Sequence, residues 1–268
     1  MKMFKKFTRA LRLSKRRKFV ITSLLLVLGF IGVTFLDGQN RFLGIGLLAF
    51  VTVILFFWSL AEGLGRNAIL LVLVLPMFFT LGVGLFWFLL PASIFSLLPV
   101  LILYGAGIYA LCLTTNIYTV SAIRTIALVR AAKSVGFVLV LFTSFLLFDA
   151  ILSTRLNVFF SSLLSFAVAF PLFLHGLWAT RLTVELEKSV LTYSLIFSYM
   201  VAAISLSLYF WPITVIVGSL FFTVVVYVLL GLGQAKLEGK LFRQTIREYL
   251  IVGILVFLAL VISAHWRG

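Results

Sequence analysis

A chain of 268 residues that is 63% hydrophobic and 11% charged is excluded from the water-soluble class, in which about 25% of residues are charged. Its mean hydropathy of +1.26 places it in a membrane. Twenty-two Lys and Arg against seven Asp and Glu would suggest nucleic acid in a soluble protein, but cations also collect on the cytoplasmic side of membrane helices, so no nucleic-acid partner is expected.

Residues 1–18 hold nine cations and place Phe4, Phe7 and Leu11 on one helical side, the pattern of a cytoplasmic amphipathic segment lying on anionic lipid. The uncharged run that follows, 19–36, is longer than the roughly 7–15 residues of a cleavable signal and has no small-residue cleavage site. It reads as a retained first span. Eight more apolar stretches follow, at 42–60, 68–90, 95–113, 134–152, 158–178, 190–210, 213–232 and 249–266. Each is near the roughly 17–25 residues that cross hydrocarbon as a helix, and none alternates as the strands of a membrane barrel do. The expected fold is an all-α, polytopic transmembrane helical bundle of about nine spans, one domain over 19–266.

Sidedness follows from the loops. With the N-terminus inside, 19 of the 22 cations fall on inner segments and only Arg41, Arg155 and Arg267 on outer ones. Trp58 and Trp178 then lie near inner ends, and Trp87, Trp211 and Trp266 near outer ends, as interfacial belts require. The expectation is N-terminus inside, C-terminus outside, in a multi-pass protein of the cell membrane. The inner segments 236–247 and 124–133 read chiefly as topological anchors, the latter with Arg124 and Lys133 projecting to opposite sides.

Much chemistry is excluded. The single Cys112 forms no intramolecular disulfide. The chain contains no H-E-x-x-H, and His175 and His265 are expected on opposite membrane faces, so no metal site is predicted. Asp149 alone among the carboxylates lies within a span, which removes paired-acid mechanisms, and neither His neighbours an orienting acid for Ser–His chemistry. The Gly44/Gly46, Gly82/Gly84 and Gly105/Gly107 pairs sit in hydrophobic context and are not phosphate loops. No catalytic residue and no cofactor is expected.

What remains are small and weakly polar residues at helical spacing. Gly105, Tyr109 and Asn116 share a face of the fourth span, Ser162 and Ser165 of the sixth, Ser194, Ser198 and Ser205 of the seventh, and Thr223 and Tyr227 of the eighth. Such stripes let helices approach and hydrogen-bond across their interface; alternatively they converge on a cavity for a ligand. Pro76, Pro99 and Pro171 interrupt three spans, as common kinks do. Asp149, one turn from an outer helix end, is expected to pair with Arg155 across a short loop, since an uncompensated charge in hydrocarbon is costly. The functional expectation is a non-enzymatic accessory, scaffold or permease-like protein. It would handle a neutral, hydrophobic or lipid-like ligand, with a membrane protein or a second copy as partner. The alternative is a lipid enzyme at the inner face using Glu62, Glu185 or Glu187.

Overall fold

Backbone groups in hydrocarbon have no water to bond, so an apolar chain of this kind must satisfy them within helices. The computed structural model describes residues 14–61, 69–91, 93–121, 128–183 and 185–264, and among them there are nine helices and no strand. These are α1 Lys15–Thr34, α2 Asn40–Leu60, α3 Ile69–Trp87, α4 Ile94–Ser121, α5 Val129–Ser153, α6 Val158–Arg181, α7 Lys188–Leu208, α8 Val215–Leu237 and α9 Arg243–Ser263. The protein is a polytopic helical bundle. Eight of the helices are long and apolar enough to cross a membrane; α3, apolar over Leu71–Trp87, is shorter. Pro76, Pro99 and Pro171 lie inside α3, α4 and α6, which continue through them. The amphipathic segment expected at the N-terminus falls outside the described residues up to position 13, as do Glu62, Arg124, His265, Trp266 and Arg267.

The centre is built on α3 and α5. α3 packs on α2, α4, α5 and α6, while α5 packs on α3, α4, α6 and α8. Phe30 and Phe79 close on Tyr104 at ring distances of 5.0 and 6.0 Å. The Tyr104 hydroxyl joins Thr80 and Thr52 in a buried chain with 3.1 and 3.0 Å links. α9 packs chiefly on α8 and buries little besides Leu260. The outer faces are apolar: Phe95 is 90% exposed and Phe159 75%, as lipid rather than water would solvate them.

Successive helices reverse direction, so one end of the bundle gathers the C-termini of α4, α6 and α8 with the N-termini of α5 and α9. Lys18 over the Trp58 ring, at 5.9 Å, marks the same side on α1 and α2. This is the basic end. Here the helices outrun the apolar stretches: α4 reaches 121 rather than 113, α5 starts at 129 rather than 134, α8 reaches 237 rather than 232, and α9 starts at 243 rather than 249.

Candidate functional site

These polar helix extensions, with the adjoining turns of the apolar spans, border a cavity of about 820 Å³ at the basic end. α4 contributes Tyr118, α5 contributes Arg130, Lys133, Ser134 and Phe137, and α6 contributes His175 and Thr180. α8 contributes Gln234, Glu238 and Lys240 follow it, and α9 contributes Tyr249. Three cations and one carboxylate therefore border the space.

Two glycines open it. A Cβ on Gly136 would collide with the Tyr118 hydroxyl, and one on Gly231 would collide with the Tyr249 ring. Only glycine lets each tyrosine lie against the neighbouring helix. So placed, Tyr118 donates to the Ala132 carbonyl at 3.1 Å, and Tyr249 closes on Tyr227, itself edge-on to Phe137, at 5.2 and 5.8 Å.

Most polar groups around the cavity are committed to protein partners. Lys133 donates to the Thr180 carbonyl and stands 3.8 Å from Glu238, whose other oxygen takes Lys240 at 2.8 Å. Gln234 donates to the Gly176 carbonyl at 3.0 Å, and so does the Thr180 hydroxyl at 3.3 Å. One atom stands apart. His175, 1% exposed, has Nδ1 at 2.7 Å from the Leu71 carbonyl, and its Nε2 has no hydrogen-bond partner. Because a carbonyl only accepts, Nδ1 carries the proton and Nε2 is an open acceptor.

The family model for "Protein of unknown function (DUF5656)" matches residues 59–263. The chain belongs to this family. No curated protein and no solved structure matches it. The DUF5656 match takes in α3 to α9 and with them every wall of the cavity; α1 and nearly all of α2 precede it.

Beside the cavity, Arg181 closes the DUF5656 bundle. Its guanidinium donates to the Leu237 carbonyl at 2.7 and 3.2 Å and grips Glu187 at 2.8 and 3.0 Å, tying the C-termini of α6 and α8 to the start of α7. That grip holds the exposed Glu187 carboxyl below its ordinary range. The chain leaves α6 through Leu182 in the left-handed region, φ 54°, with the Trp178 indole bonded to the Thr183 carbonyl at 2.9 Å.

None of the ten residues singled out at helical spacing lines this cavity, although Gly176, on the same face of the sixth span as Ser162 and Ser165, does. Ser162 donates to the Ala202 carbonyl at 2.8 Å, and Ser165 reaches Ser205 at 3.1 Å, both across the α6–α7 interface. Ser194 and Ser198 bond back to their own helix at 2.7 and 2.6 Å, and Thr223 to the Ser219 carbonyl at 2.8 Å. The Gly105 carbonyl accepts from Ser23 of α1 at 2.7 Å. The Asn116 carbonyl takes Thr119, Tyr109 packs half-buried against the core, and Tyr227 meets Phe137 and Tyr249.

At the far end, the structure does not bring Asp149 and Arg155 together. Asp149 is buried and accepts from Ser219 of α8 at 3.2 Å. Arg155 is exposed at φ 46°, and no ion pair or hydrogen bond holds its side chain among the described residues. The tight α5–α6 turn sends it outward, whereas α8 packs along α5 and delivers a hydroxyl directly.

Sequence reading missed Tyr118, Gln234 and Glu238, and placed His175 only on the membrane face opposite His265. One signal was present. Arg130, Lys133, Ser134 and Phe137 follow steps of three, one and three, a single helical face once the helix is started at 129.

Proposed function

We propose that this DUF5656 protein binds an anionic, lipid-like ligand in the cavity at its basic end, as an accessory or permease-like protein rather than an enzyme. In this reading the basic end faces the cytoplasm of the cell membrane. The observation that carries it is the cavity's border, where Arg130, Lys133 and Lys240 outnumber Glu238. A nearly uncharged interior suggests a neutral ligand, but the space lies at the end of the bundle, among the cations. An anion about 4 Å from a cation gains about 4 kcal/mol at an effective dielectric near 20, before desolvation. Two net positive charges therefore favour a phosphate headgroup over a zwitterion.

The flank suits an acyl chain. α5 and α9 both pack on α8 without packing extensively on each other. Val138, 62% exposed, and the Phe137–Tyr227–Tyr249 rings border that gap. A headgroup in the cavity would leave its chains against apolar and aromatic surface.

The test uses the full chain in neutral detergent, with lipid binding followed by native mass spectrometry. Phosphatidylglycerol should bind about tenfold or more tightly than phosphatidylcholine, with the preference falling as salt rises. Neutralising Arg130→Gln and Lys240→Gln together should remove the preference, whereas Lys15→Gln with Arg16→Gln, two exposed cations on α1 away from the cavity, should leave it. Equal loss from both pairs would mean diffuse surface charge and would overturn the proposal.

A further inference from the structure

His175 lines the cavity, its Nε2 is a buried acceptor without a protein donor, and four other lining residues have their donors engaged elsewhere. The Tyr118 hydroxyl is committed to Ala132, the Gln234 amide and Thr180 hydroxyl to Gly176, and the Lys133 ammonium to Thr180 and Glu238. The imidazole is also fixed in place. Nδ1–H holds the Leu71 carbonyl at 2.7 Å, and the Tyr118 and Trp178 rings form a triangle with it, each 6.3 Å from it and 6.4 Å from each other between centroids. An oriented buried acceptor left without a donor is destabilising unless something brings one.

Resting on the anionic-ligand reading, we infer that His175 Nε2 accepts a hydrogen bond from a hydroxyl of the bound headgroup, so that the ligand is a polyhydroxylated phosphodiester lipid: a phosphate linked to glycerol or a sugar. The phosphate supplies the charge for the rim and the hydroxyl supplies the missing donor. Thr180, whose carbonyl anchors Lys133, lies five residues beyond His175 on α6. At about 1.5 Å per residue this puts the cationic rim about 7.5 Å from the histidine along the helix, a span that a phosphate-linked glycerol or sugar bridges. Amine headgroups could also donate to Nε2, but their ammonium would sit among Arg130, Lys133 and Lys240. A phosphodiester capped by methyl has the charge and no donor.

The probes are phosphatidylglycerol and phosphatidylmethanol, equal in charge and different in hydroxyls, titrated against the full chain in neutral detergent. Wild type should prefer phosphatidylglycerol about tenfold, the value of one good hydrogen bond. His175→Asn keeps an N–H for the Leu71 carbonyl but removes the Nε2 acceptor. It should bind the two lipids alike while still preferring both to phosphatidylcholine. Equal binding of the two lipids by wild type overturns the inference and leaves the anionic-lipid reading standing, as does a preference that survives in His175→Asn. Equal binding of phosphatidylcholine by wild type would instead sink the underlying reading. Free glycerol 3-phosphate should compete only weakly; competition equal to that of phosphatidylglycerol would overturn the lipid half of the assignment.

Discussion

The two ends of the bundle solve the same problem differently. Helix termini leave backbone groups unpaired wherever they stop. At the far end short local side chains satisfy them: Asn157 caps α6 through Phe160 N–H at 3.0 Å and Thr214 caps α8 through Val217 N–H at 3.4 Å. At the basic end long side chains reach between helices instead, Lys133 to α6 and Arg181 to α8. Local caps let turns close tightly. Long-reach caps hold helix ends apart, and the space between them is the cavity.

The comparison breaks most visibly at glycine. Gly136→Ala drives a methyl into the Tyr118 hydroxyl and should lower stability by about 3 kcal/mol, the upper end of overpacking costs, with loss of the Tyr118–Ala132 bond. At the far end, a Cβ on Gly218 would meet the flexible tips of Leu152 and Ile213 at 2.8 and 3.3 Å. Gly218→Ala should therefore come out near neutral, since alanine also gains about 1 kcal/mol of helix propensity. Thermal unfolding in detergent separates the two; equal losses would mean that the ends are packed alike.

The arginines sharpen the contrast with opposite signs. Arg181→Ala removes bonds to both Leu237 and Glu187 and should cost about 1.5 kcal/mol, the low end for charged hydrogen bonds because the side chain is partly exposed. Arg155→Gly removes no partner and relieves a left-handed backbone that costs an L-residue about 1–2 kcal/mol. It should raise the melting temperature in the same assay. A fall would show that Arg155 is held after all.

How legible this was depended on what hydropathy measures. Stretches 42–60 and 158–178 lie close to α2 and α6, because crossing hydrocarbon demands both apolar side chains and internal backbone bonds. The ends of α4, α5 and α8 were hidden, because Thr114, Asn116, Arg130, Lys133 and Gln234 lower hydropathy without stopping a helix. The extensions carry Tyr118, Arg130, Lys133 and Gln234 of the cavity lining, so trimming the helices at their charges removed part of its walls. The Asp149–Ser219 contact joins positions 70 apart, and only the packing of α8 on α5 reveals it. Arg155 was the nearer charge in sequence, but it sits exposed at φ 46° while Asp149 is buried.

Smaller effects refine the far end. Asp149→Asn keeps an acceptor for Ser219, whose hydroxyl also has the Ile216 carbonyl at 3.0 Å, and it removes an ionisable group from a buried site. Stability should change by less than about 1 kcal/mol, and the preference for anionic lipid should not change at all. A loss of that preference would couple the two ends and contradict their separation.

The smallest effect is a pH dependence confined to the basic end. Arg181 holds the Glu187 carboxyl below its unfolded range, so the folded state binds that proton more weakly than the unfolded chain does. Its contribution is fully present above the ordinary carboxylate pKa and is lost as pH falls through the depressed folded value. Glu187→Gln should therefore melt slightly below wild type near neutral pH, and the gap should close on acidification. Because the pair is exposed, added salt should narrow the gap at neutral pH as well. A gap that widened in acid would mean that Glu187 is stabilised in its protonated form, and the Arg181 clamp would then have to rest on Leu237 alone.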